Sequence, residues 1–342
     1  MIKIGTNLGT EFQAFLAQLK ATAIVVITDS NTINFCYPKL KDYLPAHQVI
    51  TVPAGEENKH LGTCTSIWEK LTEFGLDRKA LVINLGGGVI GDMGGFCAAT
   101  YKRGIRFIQM PTSLLSMVDA SVGGKLGVDF KGFKNHIGVF QIPEAVFIDT
   151  QFLATLPENE KRSGYAEVLK HTLIADAEEW HRIKNKSIAD FDWATQIKHQ
   201  VAIKEAVVTA DPTEKGLRKI LNFGHTLGHA IESFYLETPN RLLHGEAIAI
   251  GMITEAFLSQ QLGYISQNDL EEITAVLLRI YGKVEIDSAY LEEILQLTLQ
   301  DKKNESAQVQ FALLEKIGKA NYDQVISKEV MNEALEYYIQ LS

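Results

Sequence analysis

Cysteine is scarce in this chain of 342 residues. There are three, Cys36, Cys64 and Cys97, and they are widely spaced and not paired with nearby histidines. They provide neither a disulfide framework nor the spacing of a structural zinc site, so we expect small buried side chains in a reducing compartment. Proline is also rare, at 8 residues, and no segment has low complexity, which predicts a chain that is ordered almost throughout.

Long hydrophobic runs and an excess of positive charge are missing as well. The longest aliphatic runs, such as residues 23–27 and 247–253, are far shorter than a membrane span, and the first five residues lack signal-peptide architecture. The formal net charge is −9, from 33 basic and 42 acidic residues. These features predict a cytoplasmic protein that binds neither nucleic acid nor a membrane surface, and an anionic ligand would need a local basic cluster.

The first half of the chain has the hydrophobic pattern of a buried parallel sheet. Short β-branched runs alternate there with helical or glycine-rich stretches long enough to be crossover connections. The runs lie at residues 24–28, 49–52, 81–85, 105–110 and 146–148. This alternation predicts an α/β domain with a parallel Rossmann-like sheet over residues 1–152.

The second half has the periodicity of helices. Segments with a 3.6-residue hydrophobic period lie at residues 157–174, 194–210, 217–235, 246–262 and 267–281. A weak hairpin pattern around Gly318 follows at residues 308–314 and 320–326. We therefore predict a second, mainly α-helical domain over residues 153–342. The boundary should lie near residues 149–156, where the last β run gives way to the Leu156-Pro157-Glu158 helix start.

A histidine-rich segment in the helical half predicts a metal site. If residues 222–232 are helical, His225 and His229 lie four apart on one face, and Glu232 continues that stripe. His244 and Glu246 follow shortly afterwards. Imidazoles with a carboxylate form the usual catalytic zinc site with an open position. The spacing leaves open which of His225 and His229 binds the ion, and any single histidine could instead be a hydrogen-bonded core residue.

Two glycine-rich turns are candidates for phosphate binding. Residues 86–95 follow a predicted strand and open a predicted helix, so their N–H groups could cradle a pyrophosphate. Their spacing departs from G-x-G-x-x-G, and the alternative is tight helix–strand packing that needs small residues. Residues 119–125 end in Gly-Gly-Lys but lack the Walker pattern, which argues against nucleoside triphosphate hydrolysis.

Seven segments, in order along the chain, closely resemble the 3-dehydroquinate synthase family. They are residues 86–92, 111–119, 122–125, 166–170, 222–230, 243–247 and 301–304, and the resemblance runs from about residue 29 to 318. It implies a lyase of chorismate and aromatic amino acid biosynthesis, in the shikimate pathway. That lyase converts 3-deoxy-D-arabino-heptulosonate 7-phosphate to 3-dehydroquinate and phosphate, through transient oxidation by tightly held NAD, phosphate elimination, re-reduction and intramolecular aldol closure. The resemblance also implies a divalent metal, usually zinc, with cobalt as an alternative.

The resemblance assigns roles to individual residues. The metal ligands would be Glu167, His225 and His244, which makes His229 a substrate and proton-relay residue. The catalytic set would be Lys125, Lys170, Lys204, Arg218, Asn222 and His229. Further substrate contacts would be Arg103, Asp119, Asn135 and one of Lys302 and Lys303. The NAD contacts would be Asp29, Asn31, Glu56, Lys59, Gly87, Gly88, Asp92, Thr112, Ser113, Lys134, Phe152 and Thr155.

Arg103 resembles the arginine that family members donate to the phosphate pocket of the neighbouring subunit, which implies a homodimer. The chain departs from the family pattern at two positions. Ser113 stands where the family commonly has threonine, and this change keeps the hydroxyl. Phe133 stands where the family commonly has glycine, and it replaces a flexible residue directly before Lys134 and Asn135.

Three other functions compete with this interpretation. One is a sister cyclase acting on sedoheptulose 7-phosphate or glucose 6-phosphate, and another is a metal-dependent polyol dehydrogenase that would release NADH. The presence of Lys204, Arg218 and Asn222, which would serve the substrate carboxylate and hydroxyls, favours dehydroquinate synthase. A catalytically dead binding protein would be expected to lose some of the ligands and basic residues, and Glu167 and Lys125 are among those present.

Overall fold

The computed structural model describes residues 1–236, 238–299 and 309–341, and the chain divides into two compact units. The first unit comprises residues 1–161 and 192–205, and the second comprises residues 162–191 and 206–342. The single cut after residue 152 that the sequence suggests stays a prediction about how the domains are organised.

The first unit is built on a six-stranded parallel sheet. The strands of this unit are β1 (Ile2–Gly5), β2 (Ile24–Asp29), β3 (Gln48–Val52), β4 (Leu81–Gly86), β5 (Arg106–Pro111), β6 (Lys125–Phe130), β7 (Phe133–Phe140) and β8 (Ala145–Asp149). The sheet order is β1-β8-β5-β4-β2-β3, and every neighbouring pair is parallel. Five of these strands coincide with the predicted runs. The sequence pattern missed β1 and the antiparallel pair β6–β7.

The order of the sheet creates a crevice at one edge. Strand β2 lies between β3 and β4, so the chain turns to one side after β2 and crosses back to the other side before β4. In doubly wound sheets, ligands bind outside the carboxyl ends of the strands at such a switch point. Asp29 ends β2 and Gly86 ends β4, so these two strand ends flank the expected binding position.

Five helices of the first unit precede residue 158, and residues 193–205 of a later helix also belong to this unit. The five are α1 (Gly9–Leu19), α2 (Thr32–Phe35), α3 (Tyr37–Leu40), α4 (Leu61–Glu73) and α5 (Gly88–Thr100). Helix α5 is the one that follows β4, and Met93 and Cys97 on it are completely buried. Cys36 and Cys64 are buried too, as expected for cysteines that serve as small hydrophobic residues.

The helical half begins at α6, and its elements are mainly helices. They are α6 (Glu158–Ala175), α7 (Ala177–Ile183), α8 (Trp193–Ala210), α9 (His225–Tyr235), α10 (His244–Gln261), α11 (Gln267–Tyr281), α12 (Leu291–Leu299) and α13 (Lys328–Gln340). The antiparallel hairpin β9 (Gln310–Lys316) and β10 (Lys319–Val325) turns at Gly318, as predicted. Every helix of the described residues falls short of the length or apolarity required to cross a membrane.

One predicted helix is broken in two. Residues 217–235 form a 3₁₀ segment, Leu217–Asn222, and then α9, which starts only at His225. Gly224 between them has φ of 80°, a left-handed conformation that interrupts the helical path. The prediction of a single helix over residues 217–235 is therefore wrong, although His225, His229 and Glu232 do lie on one helix.

Candidate metal centre and nucleotide-binding turn

Three side chains from three helices of the second unit converge on one point. Glu167 lies on α6, His225 is the first residue of α9, and His244 is the first residue of α10. The Nε2 atoms of His225 and His244 are each 3.4 Å from Oε1 of Glu167. One candidate ligand atom from each of the three residues lies within 4.8 Å of the others. The cluster is compact enough for all three to bind a single ion.

The chemistry of these donors suits a cation. Nδ1 of His225 is 3.1 Å from the carbonyl oxygen of Phe223, and Nδ1 of His244 is 3.2 Å from Oε2 of Glu232. Each Nδ1–H can donate to that oxygen, which leaves the Nε2 lone pair directed at Glu167 Oε1. Two imidazole lone pairs and an ionised carboxylate oxygen would then face one another, and a cation between them satisfies all three.

The charges around the cluster keep its carboxylate ionised. Glu167 is fully buried, which by itself raises its pKa, but Lys170 at 2.6 Å and the neighbouring His225 outweigh burial and hold the pKa well below its usual range. Burial lowers the pKa of His225. For His244, burial has the same effect, but the Glu232 and Glu167 carboxylates outweigh it and raise the pKa to about 9. The field of the site therefore favours a positive charge beside His244.

Close packing of α6 against α10 aligns two of the candidate ligands. The N–H of Gly245 donates to Oγ of Ser163 at 2.9 Å. A Cβ on Gly245 would lie only 2.1 Å from the carbonyl oxygen of Ser163, so this position requires glycine. Glu246 accepts hydrogen bonds from the N–H of Leu243 at 2.9 Å and from Arg162 at 2.7 Å. The first turn of α10, which carries His244, is therefore fixed against α6, which carries Glu167.

His229 lies beside the cluster, one turn along α9. Its ring centroid is 5.0 Å from that of His225 and 5.9 Å from that of His244. His229, Glu232 and His244 form a second group whose ligand atoms lie within 4.8 Å of one another. His244 uses Nδ1 toward Glu232 and Nε2 toward Glu167, so the geometry gives His244 and Glu167 one common centre and leaves His229 at its side.

The glycine-rich turn of the first unit has the geometry of a phosphate cradle. Gly87 immediately precedes α5, and Gly88 is the first residue of that helix. A Cβ on Gly87 would lie 3.2 Å from Oγ of Ser113, and one on Gly88 would lie 3.7 Å from the Ala120 side chain. The first N–H groups of a helix have no partner inside the helix, and the helix dipole favours an anion there. This is the fit expected for a dinucleotide pyrophosphate.

A buried lysine links the neighbouring polar residues of this unit. Lys59 donates to Asp92 at 2.7 Å and to Oδ1 of Asn135 at 2.6 Å, and it lies 3.9 Å from Glu56. Burial opposes its charge, but Asp92 and Glu56 outweigh burial and raise the pKa of Lys59. Glu56 is also 3.5 Å from Lys134. The structure therefore brings together five residues that the resemblance divides between cofactor and substrate.

The remaining candidate NAD residues follow the carboxyl ends of strands. Oδ1 of Asp29, at the end of β2, accepts the N–H groups of Asn31 and Thr32, both at 2.8 Å. The N–H of Thr112, just after β5, donates to the carbonyl oxygen of Gly86 at 2.9 Å. Phe152 and Thr155 lie in a 3₁₀ segment, Thr150–Thr155, after β8. These strand ends meet at one edge of the sheet.

Cys36 belongs to the same neighbourhood, although sequence reasoning assigned it no part in the site. Burial raises the pKa of its thiol to about 11, although the neighbouring Lys39, Thr112 and Thr155 side chains lower it. A thiol with such a high pKa remains protonated and acts as a neutral neighbour. Isolated cysteines carry no sequence signal for this position.

The candidate substrate residues of the first unit lie on several elements. Asp119 is in a π-helical turn, Ser116–Ala120, and its carboxylate is 2.8 Å from the ammonium of Lys204 on α8. Asn135 lies in β7 with φ of 50°, and its N–H donates to Asp129 at 2.6 Å. Lys125 begins β6 and is exposed.

Arg103 lies in a strained turn of the same unit. It is exposed, and it follows Lys102 and precedes Gly104 in a run of three residues with positive φ, of 51°, 68° and 109°. Left-handed backbone costs non-glycine residues free energy, so such turns persist only where the surrounding structure imposes them.

The second unit supplies the other basic residues. Lys170 is buried and donates to the carbonyl oxygen of Leu221 at 3.0 Å besides pairing with Glu167. Arg218 is buried and donates to the carbonyl oxygen of Pro212 at 2.7 Å. The amide of Asn222 donates to Glu214 at 2.9 Å. Lys302 and Lys303 lie outside the described residues.

The fold and the site together define a class of enzyme. The first unit has a doubly wound sheet with a glycine cradle, and the second unit has two histidines and a carboxylate around one centre. This combination is typical of an enzyme that uses a dinucleotide and a metal ion.

Comparison with known proteins gives the family. The family description "3-dehydroquinate synthase N-terminal" matches residues 49–163, and "3-dehydroquinate synthase C-terminal" matches residues 164–304. The 3-dehydroquinate synthase of Parabacteroides distasonis is 39% identical, with 98% of this chain and 97% of that protein covered. The chain belongs to the 3-dehydroquinate synthase family.

Solved structures share the whole fold. A 2-epi-5-epi-valiolone synthase from Streptomyces hygroscopicus subsp. jinggangensis, with NAD⁺ and Zn²⁺ bound, superposes with a TM-score of 0.89 at 26% identity, covering 99% of this chain and 96% of that one. A 2-deoxy-scyllo-inosose synthase, complexed with carbaglucose-6-phosphate, NAD⁺ and Co²⁺, has a TM-score of 0.84 at 25% identity and covers 98% and 96%. The predicted architecture, an α/β domain followed by a mainly helical domain, is confirmed.

Proposed function

We propose that this protein is a 3-dehydroquinate synthase, which converts 3-deoxy-D-arabino-heptulosonate 7-phosphate to 3-dehydroquinate and phosphate. The observation that carries the proposal is the convergence of His225 and His244, each with Nε2 3.4 Å from Glu167 Oε1, in a chain of this family. We assign these three residues as ligands of a divalent ion, zinc or cobalt. The cradle around Gly87 and Gly88 is assigned to NAD.

When bound, the metal stabilises negative charge developing on a substrate hydroxyl, and NAD accepts and returns a hydride. The chain supplies the remaining requirements. Lys170 keeps the buried Glu167 ionised, so this carboxylate can bind a cation at neutral pH. Glu232 holds the Nδ1–H of His244 and so fixes the tautomer that presents Nε2. His229, beside both ligands, is placed to accept or return a proton.

The basic residues have the chemistry required for an anionic substrate. Lys204, next to Asp119, and Arg218, buried with its guanidinium anchored on a carbonyl, are suited to the carboxylate and phosphate groups of a sugar acid phosphate. Lys125 and Asn135 are exposed on the β6–β7 hairpin, where a ligand can reach them. We include one of Lys302 and Lys303 in this set because of the family motif.

We further propose a cytoplasmic homodimer in which Arg103 serves the phosphate site of the partner subunit. Its support is that Arg103 is exposed and lies in a strained turn of positive-φ residues. Strain retained on an exposed turn is expected where the turn has a function.

A single assay tests the proposed activity. Purified protein loaded with Zn²⁺ and NAD is incubated with the heptulosonate phosphate, and phosphate, dehydroquinate and NADH absorbance are followed together. We expect equal release of phosphate and formation of dehydroquinate without net NADH. Activity on sedoheptulose 7-phosphate or glucose 6-phosphate alone would identify a sister cyclase, and accumulating NADH would identify a polyol dehydrogenase.

A further inference from the structure

Glu255 is a completely buried carboxylate on α10 that lies outside the proposed set of metal ligands. Its two oxygens accept three backbone hydrogen bonds from the start of α9. Oε2 accepts the N–H of Gly224 at 2.6 Å, and Oε1 accepts those of Thr226 at 3.0 Å and Leu227 at 3.2 Å. The donors are the amides on either side of His225, so the carboxylate spans the backbone of a proposed ligand.

The start of α9 needs such an acceptor. The first N–H groups of a helix have no partner inside the helix, and a serine, threonine or aspartate just before it usually accepts them. Here that position is Gly224, which has no side chain and adopts a left-handed conformation. Glu255 therefore replaces the missing cap from another helix, and its negative charge also complements the helix dipole.

Contact between the backbones of the two helices makes this possible. A Cβ on Gly251 would lie 1.9 Å from the carbonyl oxygen of Gly224 and 2.8 Å from the N of Gly228. A Cβ on Gly224 would lie 2.5 Å from the Met252 side chain. The helices approach closely enough for a glutamate on one to reach the amides of the other. Helix α10 thus carries His244 on its first turn, and through Glu255 it accepts hydrogen bonds from the start of α9, the helix that carries His225.

We propose that Glu255 is a positioning residue for the metal centre, because it fixes the backbone of His225 relative to His244 on its own helix. The inference rests on the proposed metal centre. It predicts that loss of the carboxylate impairs metal binding even where the fold survives.

The test compares Glu255→Gln with a matched variant, Thr254→Val. Thr254 is also fully buried on α10, and its hydroxyl bonds back to the Ile250 and Gly251 carbonyls of the same helix. A glutamine would place an NH₂ group against at least one backbone N–H, because both carboxylate oxygens are used. Each metal-free protein is titrated with Co²⁺, its visible absorption is recorded, Zn²⁺ is added in competition, and the midpoint of thermal unfolding is measured.

We expect Glu255→Gln to weaken Co²⁺ binding by about ten- to a hundredfold and to change the Co²⁺ absorption spectrum, as found for groups that orient metal ligands. Thr254→Val should bind Co²⁺ with an affinity within about twofold of the wild type. This should hold even if its midpoint of thermal unfolding falls as much as that of Glu255→Gln. Wild-type affinity and spectrum in Glu255→Gln would overturn the positioning role. Failure of the wild type to bind one Co²⁺ would instead overturn the proposed metal centre.

Amide exchange of the wild type decides the matter if Glu255→Gln does not fold. We expect Co²⁺ to slow exchange of the Gly224, Thr226 and Leu227 amides about tenfold more than exchange of the amides in α13. The reason is that the Glu255 carboxylate and the metal ligand His225 both hold the first turn of α9. Equal slowing in both places would overturn the proposal.

Discussion

A buried glutamate stays ionised only where other groups replace the water it has lost. Glu167 has the ammonium of Lys170 at 2.6 Å and two imidazoles at 3.4 Å, and these neighbours outweigh its complete burial. Breaking such a pair typically costs several kcal/mol, because a buried charge is left alone. The Glu167–Lys170 pair therefore contributes both to metal binding and to the stability of the fold.

Replacing His225 by alanine should abolish metal binding while the fold persists. The change removes one of three ligands and leaves α9 otherwise intact, so we expect affinity for Zn²⁺ to fall by at least about a hundredfold and activity to be lost with it. Equilibrium dialysis and circular dichroism check the two parts. His47→Ala, at a histidine bonded to Tyr37, is the control. Full metal occupancy in His225→Ala would contradict the ligand assignment.

Metal affinity should depend on pH through His244. In the metal-free protein its pKa is raised from 6.5 to about 9 by Glu232 and Glu167, so its proton stabilises the fold by up to about 3 kcal/mol below pH 6.5. That contribution is lost as pH rises through about 9. A cation displaces this proton, so affinity should rise about tenfold per pH unit between 6.5 and 9.

Calorimetry of Zn²⁺ binding in buffers of different ionisation enthalpy measures the proton released. At pH 7.5 we expect about one proton released per ion bound. Binding without proton release would show that His244 is already neutral and that the carboxylates do not act on it as described.

At the scale of elements, the junction of α6 with α10 governs the distance between Glu167 and His244. Gly245→Ala would place a methyl group 2.1 Å from the Ser163 carbonyl oxygen, so the first turn of α10 must move away. We expect a loss of about 1–3 kcal/mol in unfolding free energy and a clear fall in Zn²⁺ affinity. Ser163→Ala removes only the 2.9 Å hydrogen bond and should lower affinity much less. Equal affinities in both variants would mean that the junction does not align the ligands.

The β6–β7 hairpin shows why one sequence departure does little damage to the backbone. Phe133 begins β7, and its ring packs on His136 with centroids 5.3 Å apart. The residues of this hairpin with positive φ are Lys131, Gly132 and Asn135, and Asn135 is held by Asp129 and Lys59. Phe133 itself is not among them, so the flexibility of a glycine at position 133 is not required.

At the scale of the whole molecule, the proposed dimer makes a complementation prediction. Arg103→Ala and His225→Ala each lack a different part of the same site. If Arg103 acts in the partner's site, a mixed dimer has one intact site and one with both lesions. Refolding the two inactive variants together should restore about a quarter of wild-type activity, since half of the dimers are mixed. No recovery in an equal mixture that sedimentation shows to contain dimers would place Arg103 in its own subunit's site or outside catalysis.

Much of the site follows from local sequence. The strand runs, the helix that begins near residue 267 and the spacing of His225 and His229 are recognisable because hydrophobic period and glycine placement act among near neighbours. The family motifs add the assignments of the remaining residues, which stay proposals. Ser163, Asp129 and Glu255 gave no signal of their own, because a lone polar residue in a helix or strand is usually ordinary.

The sequence by itself determined the two kinds of architecture, the glycine turn after the third predicted strand, and the types of ligand available. Only the tertiary structure decided that the helix breaks at Gly224, that β6 pairs with β7, and that Glu255 caps a helix starting 30 residues earlier along the chain. The physical reason is the distance along the chain over which the deciding interactions act. A strand or helix is favoured by residues within a few positions, whereas the partner of a backbone amide at a helix end depends on which distant segment packs against it.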